Sequence, residues 1–271
     1  MNSVSFNPIF VGGAGRSGTT LLRAMLASHP ALTGTNEFKL LPSIVDLRRM
    51  FDGYREVTDA YSLQGDYLDT LFADLVRGLF TPYIDRAEGL RLIEKTPHNV
   101  MAADVLARFF PASRHIHIVR DGRDVACSLV TMDWRGADGQ KLWYTQSIEA
   151  AAEYWRQVVE SALAQADVVG KEQCRRVHYE SLIREPRQRM RSLLDWLGEP
   201  WDEAVLDEAR RKGMMNAEIS ESSSVQVGEA INHRAVGRWK KEMSAPDRET
   251  FHRVAGPLLQ SLGYASDGAW V

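Results

Sequence analysis

Cysteine is almost missing from this chain: Cys127 and Cys174 are its only two in 271 residues, and they lie far apart. So sparse a pair excludes a disulfide-stapled scaffold and reads as two buried free thiols in a reducing compartment. Long apolar runs are missing as well. None approaches the about 18 residues needed to cross a bilayer. The opening residues, Met1-Asn-Ser-Val-Ser-Phe-Asn-Pro8, have neither the basic start nor the apolar core of a secretory signal. These absences predict a cytoplasmic protein without a membrane span. An excess of charge of one sign is missing too, the net value being −3, which argues against a general nucleic-acid binder. No Cys-x-x-Cys and no paired-histidine spacing marks a metal site. Repeats and low-complexity tracts are absent.

One further absence is local and more telling. Residues Gly13-Ala-Gly-Arg-Ser-Gly-Thr-Thr20 follow an apolar run and precede an amphipathic one, so they predict a strand, a glycine-rich turn and a helix N-terminus. Such a turn gathers backbone N–H groups around an anion with the helix dipole behind them. The spacing is that of the nucleotide P-loop, except that Thr19 stands where the lysine belongs. That lysine reaches the β- and γ-phosphates of a triphosphate. With Arg16 as its only cation, the loop suits a less charged 5′ group, such as a phosphosulfate. Gly13, Gly15 and Gly18 also satisfy G-x-G-x-x-G, with Glu37 near the place of the acidic residue of a dinucleotide site, so that reading competes here.

Along the rest of the chain, short apolar runs alternate with helical spacing. Strands are predicted at 9–11, 32–35, 91–94, 114–119 and 175–178. Helices are predicted at 20–28, 41–50, 67–80, 97–109, 121–130, 147–169, 186–197 and 247–262, the last preceded by a short segment at 239–243. This alternation implies an α/β fold: a P-loop-like three-layer αβα arrangement around a parallel sheet of about five strands. The whole of 1–271 reads as one domain, with a helical insert at about 41–88. Residues 214–236 are polar and aperiodic, the composition of a functional loop.

A second anion site is predicted where strand 114–119 ends. Arg120 falls at the carboxyl end of that strand, the edge where open parallel sheets bind ligands. Ser128 lies two helical turns further on. A guanidinium fork with a neutral hydroxyl is phosphate chemistry. Two phosphate sites on one sheet edge fit a nucleotide phosphorylated at both its 5′ and 3′ positions.

The run 10–26, together with Val119-Arg-Asp-Gly-Arg123, resembles the sulfotransferases that use 3′-phosphoadenosine 5′-phosphosulfate (PAPS), and among them the tyrosylprotein sulfotransferases most. The likeness extends over roughly residues 8–265. It includes His29-Pro30, Asn36-Glu37-Phe-Lys39, Glu94-Lys95-Thr-Pro97, Val177-His-Tyr-Glu180, Arg238-Trp239 and Leu262-Gly-Tyr264. The resemblance implies that Arg16, Ser17, Gly18, Thr19 and Thr20 hold the 5′-phosphosulfate, and that Arg120 and Ser128 hold the 3′-phosphate. It places Tyr179 and Ser223 against the nucleotide, with Arg238 where the tyrosyl enzymes carry a lysine. Loop 214–236 then covers the nucleotide. Glu37 matches the catalytic base and Lys95 the cation that stabilises the moving sulfuryl group, joined by Arg16.

PAPS is then the cosubstrate, 3′-phosphoadenosine 5′-phosphate (PAP) the product, and no metal is needed. His98 is a second candidate base, while His29 and His117 read as structural. Two departures stand out. Met132 occupies the place of a family arginine, which Arg123 or Arg135 could replace. The anchor and disulfide of the secretory enzymes are missing, which points to a bacterial-type member. The acceptor is a peptide or protein tyrosine, or a small-molecule, sugar or lipid hydroxyl. Lys39, Arg48, Arg49 and Arg55 would suit an acidic peptide. A homodimer is compatible with all of this. A P-loop kinase and a non-catalytic nucleotide binder rank lower.

Overall fold

The computed structural model describes residues 6–34, 36–136, 138–217 and 233–271. Five strands, β1 (Ile9–Gly12), β2 (Leu32–Gly34), β3 (Arg91–Lys95), β4 (Arg114–Val119) and β5 (Cys174–His178), form one sheet in the order β2-β3-β1-β4-β5. Every pairing is parallel. The central β1 is buried along its whole length and β4 along all but its first residue. That is why both read as near-continuous apolar runs rather than alternating ones.

In chain order the helices are α1 (Thr19–Ala27), α2 (Leu41–Gly53), α3 (Arg55–Ala60), α4 (Gly65–Arg86), α5 (Ala103–Phe109), α6 (Gly122–Leu129), α7 (Ile148–Val169), α8 (Tyr179–Arg184), α9 (Pro186–Leu197), α10 (Glu208–Ala217), α11 (Trp239–Glu242) and α12 (Ala245–Ser261). Three apolar clusters hold them to the sheet. One joins α1, α8 and α9 to β1 and β4. A second joins α6, α7 and α12 around Trp155. The third joins α2, α4 and α5 around Phe10 and Phe110. The result is the three-layer αβα arrangement that the alternation predicts.

The structure departs from the sequence reading in four places. The predicted helix 97–109 divides into a 3-10 turn, Pro97–Met101, and α5. The buried Glu94 carboxylate accepts from Thr96 Oγ1 at 2.8 Å and from Asn99 Nδ2, tying that turn back to the sheet. The short helices α3 and α8 have too few residues to show a periodicity. Helix α10 takes up residues 208–217, so the first part of the segment read as a loop is helical.

Strand order reverses on either side of β1, between β3 and β4. The carboxyl ends of these three strands deliver the segments beginning at Gly13, Thr96 and Arg120 to one crevice. In open α/β sheets that crevice is where ligands sit.

Candidate active site

The turn after β1 is fixed from below and from the side. Gly13 N donates to the Pro97 carbonyl at 2.8 Å, and Gly15 N to the Tyr154 hydroxyl at 3.0 Å. Arg16 takes a left-handed conformation, φ 70°, and so does Gly18, φ 94°. A Cβ on Gly18 would lie 2.5 Å from the Tyr179 ring, so the glycine is needed for both its backbone and its missing side chain. Helix α1 begins at Thr19 with no side-chain cap. Its first N–H groups have no intrahelical acceptors and face the crevice end of the helix.

The second arm locks onto the first. Arg120, 5% exposed, donates from Nη1 to the Arg16 carbonyl at 2.8 Å and from Nη2 to the Ala235 carbonyl. Its guanidinium lies 4.9 Å from the centre of the Tyr179 ring. Arg16 Nε in turn donates to Ser128 Oγ at 3.0 Å. The structure thus brings together Arg16, Gly18, Arg120, Ser128 and Tyr179, which lie up to 163 positions apart in the chain.

Arg238 is near enough to oppose the charge of Arg16, while its own guanidinium pairs with Glu242 at 2.7 Å. Burial lowers the Arg16 pKa first, and the charges of Arg120 and Arg238 lower it further; only Tyr179 acts the other way. Among the described residues, Ser17 Oγ and Arg120 Nε are buried without a hydrogen-bond partner. A cradle of like charges with orphaned donors fits an anion.

The carboxylate and the lysine form the other half of the site. Lys95, fully buried at the end of β3, donates from Nζ to Glu37 Oε1 at 2.5 Å and to Thr20 Oγ1 at 3.3 Å. It therefore spans from Glu37 to the start of α1. The segment carrying Glu37 is pinned to the same strand end: Phe38 N donates to Glu94 at 3.3 Å and Lys39 N to Thr96 Oγ1 at 3.2 Å. Burial raises the Glu94 pKa, and the bonds from Asn99, Thr96 and Phe38 oppose that rise. Glu94 and Thr96 so act as positioning residues for Glu37. Their side chains were silent in the sequence because each does its work on a backbone N–H.

An aromatic wall completes the crevice. Tyr154 stacks on Tyr144 with centroids 4.2 Å apart, and Trp134 and Trp143 meet Tyr144 edge-on. The Tyr154 hydroxyl also lies 3.3 Å from His98 Nε2. The Glu37 charge acts on His98, Tyr144 and Tyr154 alike, which puts this wall on the Glu37 side of the site. Sequence reasoning missed Tyr154 because it sits within the apolar stripe of α7 and looks like any other core aromatic.

Other candidates fall elsewhere. Ser223 lies outside the described residues. Arg123 does not fill the place of the arginine missing at Met132: it pairs with Asp121 at 2.8 Å and stacks between Trp239 and Trp270, at 3.9 and 4.5 Å from their ring centres. Arg135 is exposed and pairs with Asp133. Nor do Arg48 and Arg49 form a surface for an acidic peptide. Arg48 is buried against Asp52 and Asp69, and Arg49 bonds Asp104 and the Met101 carbonyl. Lys39 is exposed and Glu37 pairs with Lys95 instead. His117 is enclosed in β4 and burial holds its pKa down to about 3, while His29 bridges to the Pro200 carbonyl. Among the described residues no cluster could hold a metal ion and no helix is long and apolar enough to cross a membrane.

Comparison with known proteins agrees with this geometry. A family model described as "Sulfotransferase family" matches residues 8–203. Protein-tyrosine sulfotransferase A of Caenorhabditis elegans is 28% identical over 267 residues, covering 94% of this chain and 67% of the relative. The sulfotransferase domain from the curacin biosynthetic pathway superposes with a TM-score of 0.64 at 22% identity, covering 93% of this chain and 97% of that one. Mouse sulfotransferase SULT7A1, solved in complex with PAP, superposes with a TM-score of 0.56 at 15% identity, covering 98% and 90%. These two structural likenesses concern the fold.

Proposed function

Because the chain belongs to the sulfotransferase family, we propose that it transfers a sulfuryl group from PAPS to an acceptor hydroxyl and releases PAP. The observation that carries this is the fused cradle. Arg16 reaches Ser128, Arg120 reaches back to the Arg16 carbonyl, and two buried donors, Ser17 Oγ and Arg120 Nε, lack partners among the described residues. A ligand with one anionic group would need one arm; two joined arms suit a nucleotide charged at both its 5′ and 3′ ends. The 5′ group goes to Arg16, Ser17, Gly18, Thr19 and Thr20, and the 3′-phosphate to Arg120 and Ser128, with Arg238 at the rim and Tyr179 beneath. Bound PAPS would supply the activated sulfuryl group. Thr19 in place of the P-loop lysine disfavours a kinase.

In this reading Glu37 Oε accepts the acceptor's proton as general base. Lys95 lies between that base and Thr20, so its charge is placed where negative charge builds as the acceptor loses its proton. Arg16 adds a second cation from the loop. Burial lowers the His98 pKa, which leaves a neutral imidazole able to accept a proton, so His98 is the second-ranked base. The aromatic wall beside Glu37 supports a phenolic acceptor, a tyrosine side chain being the first choice. The activity carried in the name of the nematode relative points the same way. A small-molecule, sugar or lipid hydroxyl is the alternative.

The whole chain is read as one sulfotransferase domain, and residues 214–236, including Ser223, as its cover over the nucleotide. A reducing, cytoplasmic setting and a bacterial-type origin belong to the same proposal. Support for the setting comes from two free thiols, whose pKa values burial pushes up to about 12 for Cys127 and about 11 for Cys174.

Two measurements test the reading together: thermal shift with PAP or ATP, and transfer of labelled sulfate from PAPS to tyrosine peptides and to simple phenols. Stabilisation by PAP with transfer to a tyrosine peptide is expected. Stabilisation by ATP but not by PAP would overturn the nucleotide assignment. Transfer to small phenols alone would move the acceptor to the alternative class.

A further inference from the structure

Asp124 is fully buried in the first turn of α6, beside the phosphate cradle. A carboxylate enclosed there is costly twice over: burial penalises its charge, and its field repels an incoming phosphate. Its bonds show what it holds in return. Oδ2 accepts from Gly237 N at 2.7 Å and Oδ1 from Trp239 N at 3.0 Å, across 113 and 115 positions of chain. Those two N–H groups flank Arg238. The same Oδ2 lies 3.9 Å from Arg120 Nη2. Burial raises the Asp124 pKa, while the Trp239 N–H, the Arg120 charge and the Gly237 N–H act against that rise. One carboxylate thus meets the side chain of one cradle cation and the backbone on both sides of another.

The segment so held has little else to fix it. Gly237 turns in the left-handed region, φ 75°. Helix α11 has four residues, too few to persist alone, and its N-cap, Arg238, makes no side-chain capping bond. Asp124 supplies that cap from α6. Packing leaves the turn one open side: a cavity of about 450 Å³ lies against it, lined in part by Asp124, Gly237, Trp239, Lys240 and Trp270. The far end of Arg238 is tied to Glu242 on the same short helix, so its guanidinium follows wherever the turn goes. We infer that Asp124 is a positioning residue for the 3′ end of the nucleotide. By capping α11 across the fold it sets Arg238 beside Arg120, so that one 3′-phosphate meets both cations. This role rests on the PAPS reading of the cradle and adds to it a residue that acts only through others.

Calorimetric titration of the full chain with PAP and with adenosine 5′-phosphate, which lacks only the 3′-phosphate, tests it. The wild type should prefer PAP by about tenfold or more, the effect of a charge-assisted bond. Asp124→Asn should weaken PAP by about tenfold and leave adenosine 5′-phosphate nearly unchanged. Removing a negative charge near the phosphate would by itself tighten PAP, so the sign of the change separates holding from charge. Added to Arg238→Ala, Asp124→Asn should weaken PAP no further, because the side chain it acts through is gone. Gly237→Ala disturbs the same turn from outside. An added Cβ there meets nothing within 4 Å and only the left-handed backbone is strained. It too should lower the preference for PAP, which keeps the test decisive if Asp124→Asn does not fold. An Asp124→Asn protein that weakens both nucleotides alike, tightens PAP, or weakens it further beside Arg238→Ala overturns the inference and leaves the cosubstrate reading standing. So does an unchanged preference in Gly237→Ala. A wild type without any preference for PAP overturns both.

Discussion

The sheet-edge cradle and the helical insert treat buried charge and apolar surface in opposite ways. In the cradle the apolar groups are covered, while Ser17 Oγ and Arg120 Nε are buried without a partner among the described residues. In the insert the polar groups are satisfied. Arg48, only 3% exposed, has carboxylates at 2.7 Å on two sides, and Arg49 reaches Asp104 at 2.6 Å. What the insert leaves unmet is its apolar side chains. Each buried donor without a partner costs about 1–3 kcal/mol, so a fold keeps few of them without use. The unmet donors of the cradle suit an anion, whereas what the insert leaves exposed is apolar.

The largest effect expected is on turnover. Glu37→Gln should lower the transfer rate by about 10²- to 10⁴-fold, the usual contribution of a general base, while PAP binding stays within a few-fold. The amide keeps the size of the carboxylate and a partner for Lys95, so lost binding would point to a structural role. A single-turnover assay beside a PAP titration separates the two.

Acid should break the comparison next, because the sheet carries histidines and residues 30–97 have none. Burial holds the pKa of His115 down to about 4 and that of His117 to about 3. An unfolded histidine titrates near 6.5. Between these values the unfolded chain takes up protons that the folded chain refuses, so this contribution is whole above pH 6.5 and is lost as pH falls. The loss approaches about 1.4 kcal/mol per pH unit for each histidine and levels off below about 3. Melting followed from pH 7 to 4 should show it. His117→Asn, if it folds, should flatten the slope; an unchanged slope would move the acid sensitivity elsewhere.

Two arginine variants sharpen the contrast between regions. Arg120→Ala removes a charged donor from the cradle and should weaken PAP binding about ten- to hundredfold, since a bond to a charged group contributes about 1.5–3 kcal/mol. Arg48→Met removes an equally buried cation from the insert. It should leave PAP affinity within twofold and lower stability by about 1–3 kcal/mol, because Asp69 retains Arg108 at 2.9 Å and Asp52 is exposed. Calorimetric titration and urea unfolding of both proteins distinguish a binding cation from a structural one.

The two regions were not equally legible in the sequence. The cradle could be read because its chemistry is compressed into two short stretches, 13–20 and 119–128, where glycine spacing and a strand end fix what the side chains can do. The sheet was legible for a related reason: strands buried on both faces leave unbroken apolar runs. Arg48 was not legible, because a cation on an amphipathic helix looks alike whether it faces water or two aspartates. Tyr154, Glu94 and Thr96 were hidden for the same physical reason. They act across 56 to 139 positions of chain, on backbone N–H groups that carry no sequence signal.

Tyr154 offers the smallest and most discriminating change. Its hydroxyl oxygen accepts from Gly15 N at 3.0 Å, so its own proton is free to point at His98 Nε2, 3.3 Å away. Burial raises the phenol pKa, which keeps the group neutral in both roles. Tyr154→Phe keeps the stack on Tyr144 and removes only the oxygen. The buried Gly15 N–H then loses its partner, a cost of about 1–3 kcal/mol that falls on the anion loop. KM for PAPS should rise several-fold with kcat changed by less than threefold. The pH profile separates the two candidate bases. If Glu37 takes the proton, the acid limb of kcat stays in place, because Tyr154 bonds no atom of Glu37. If His98 takes it, losing the neighbouring hydroxyl moves that limb and lowers kcat, and the assignment passes from the carboxylate to the imidazole.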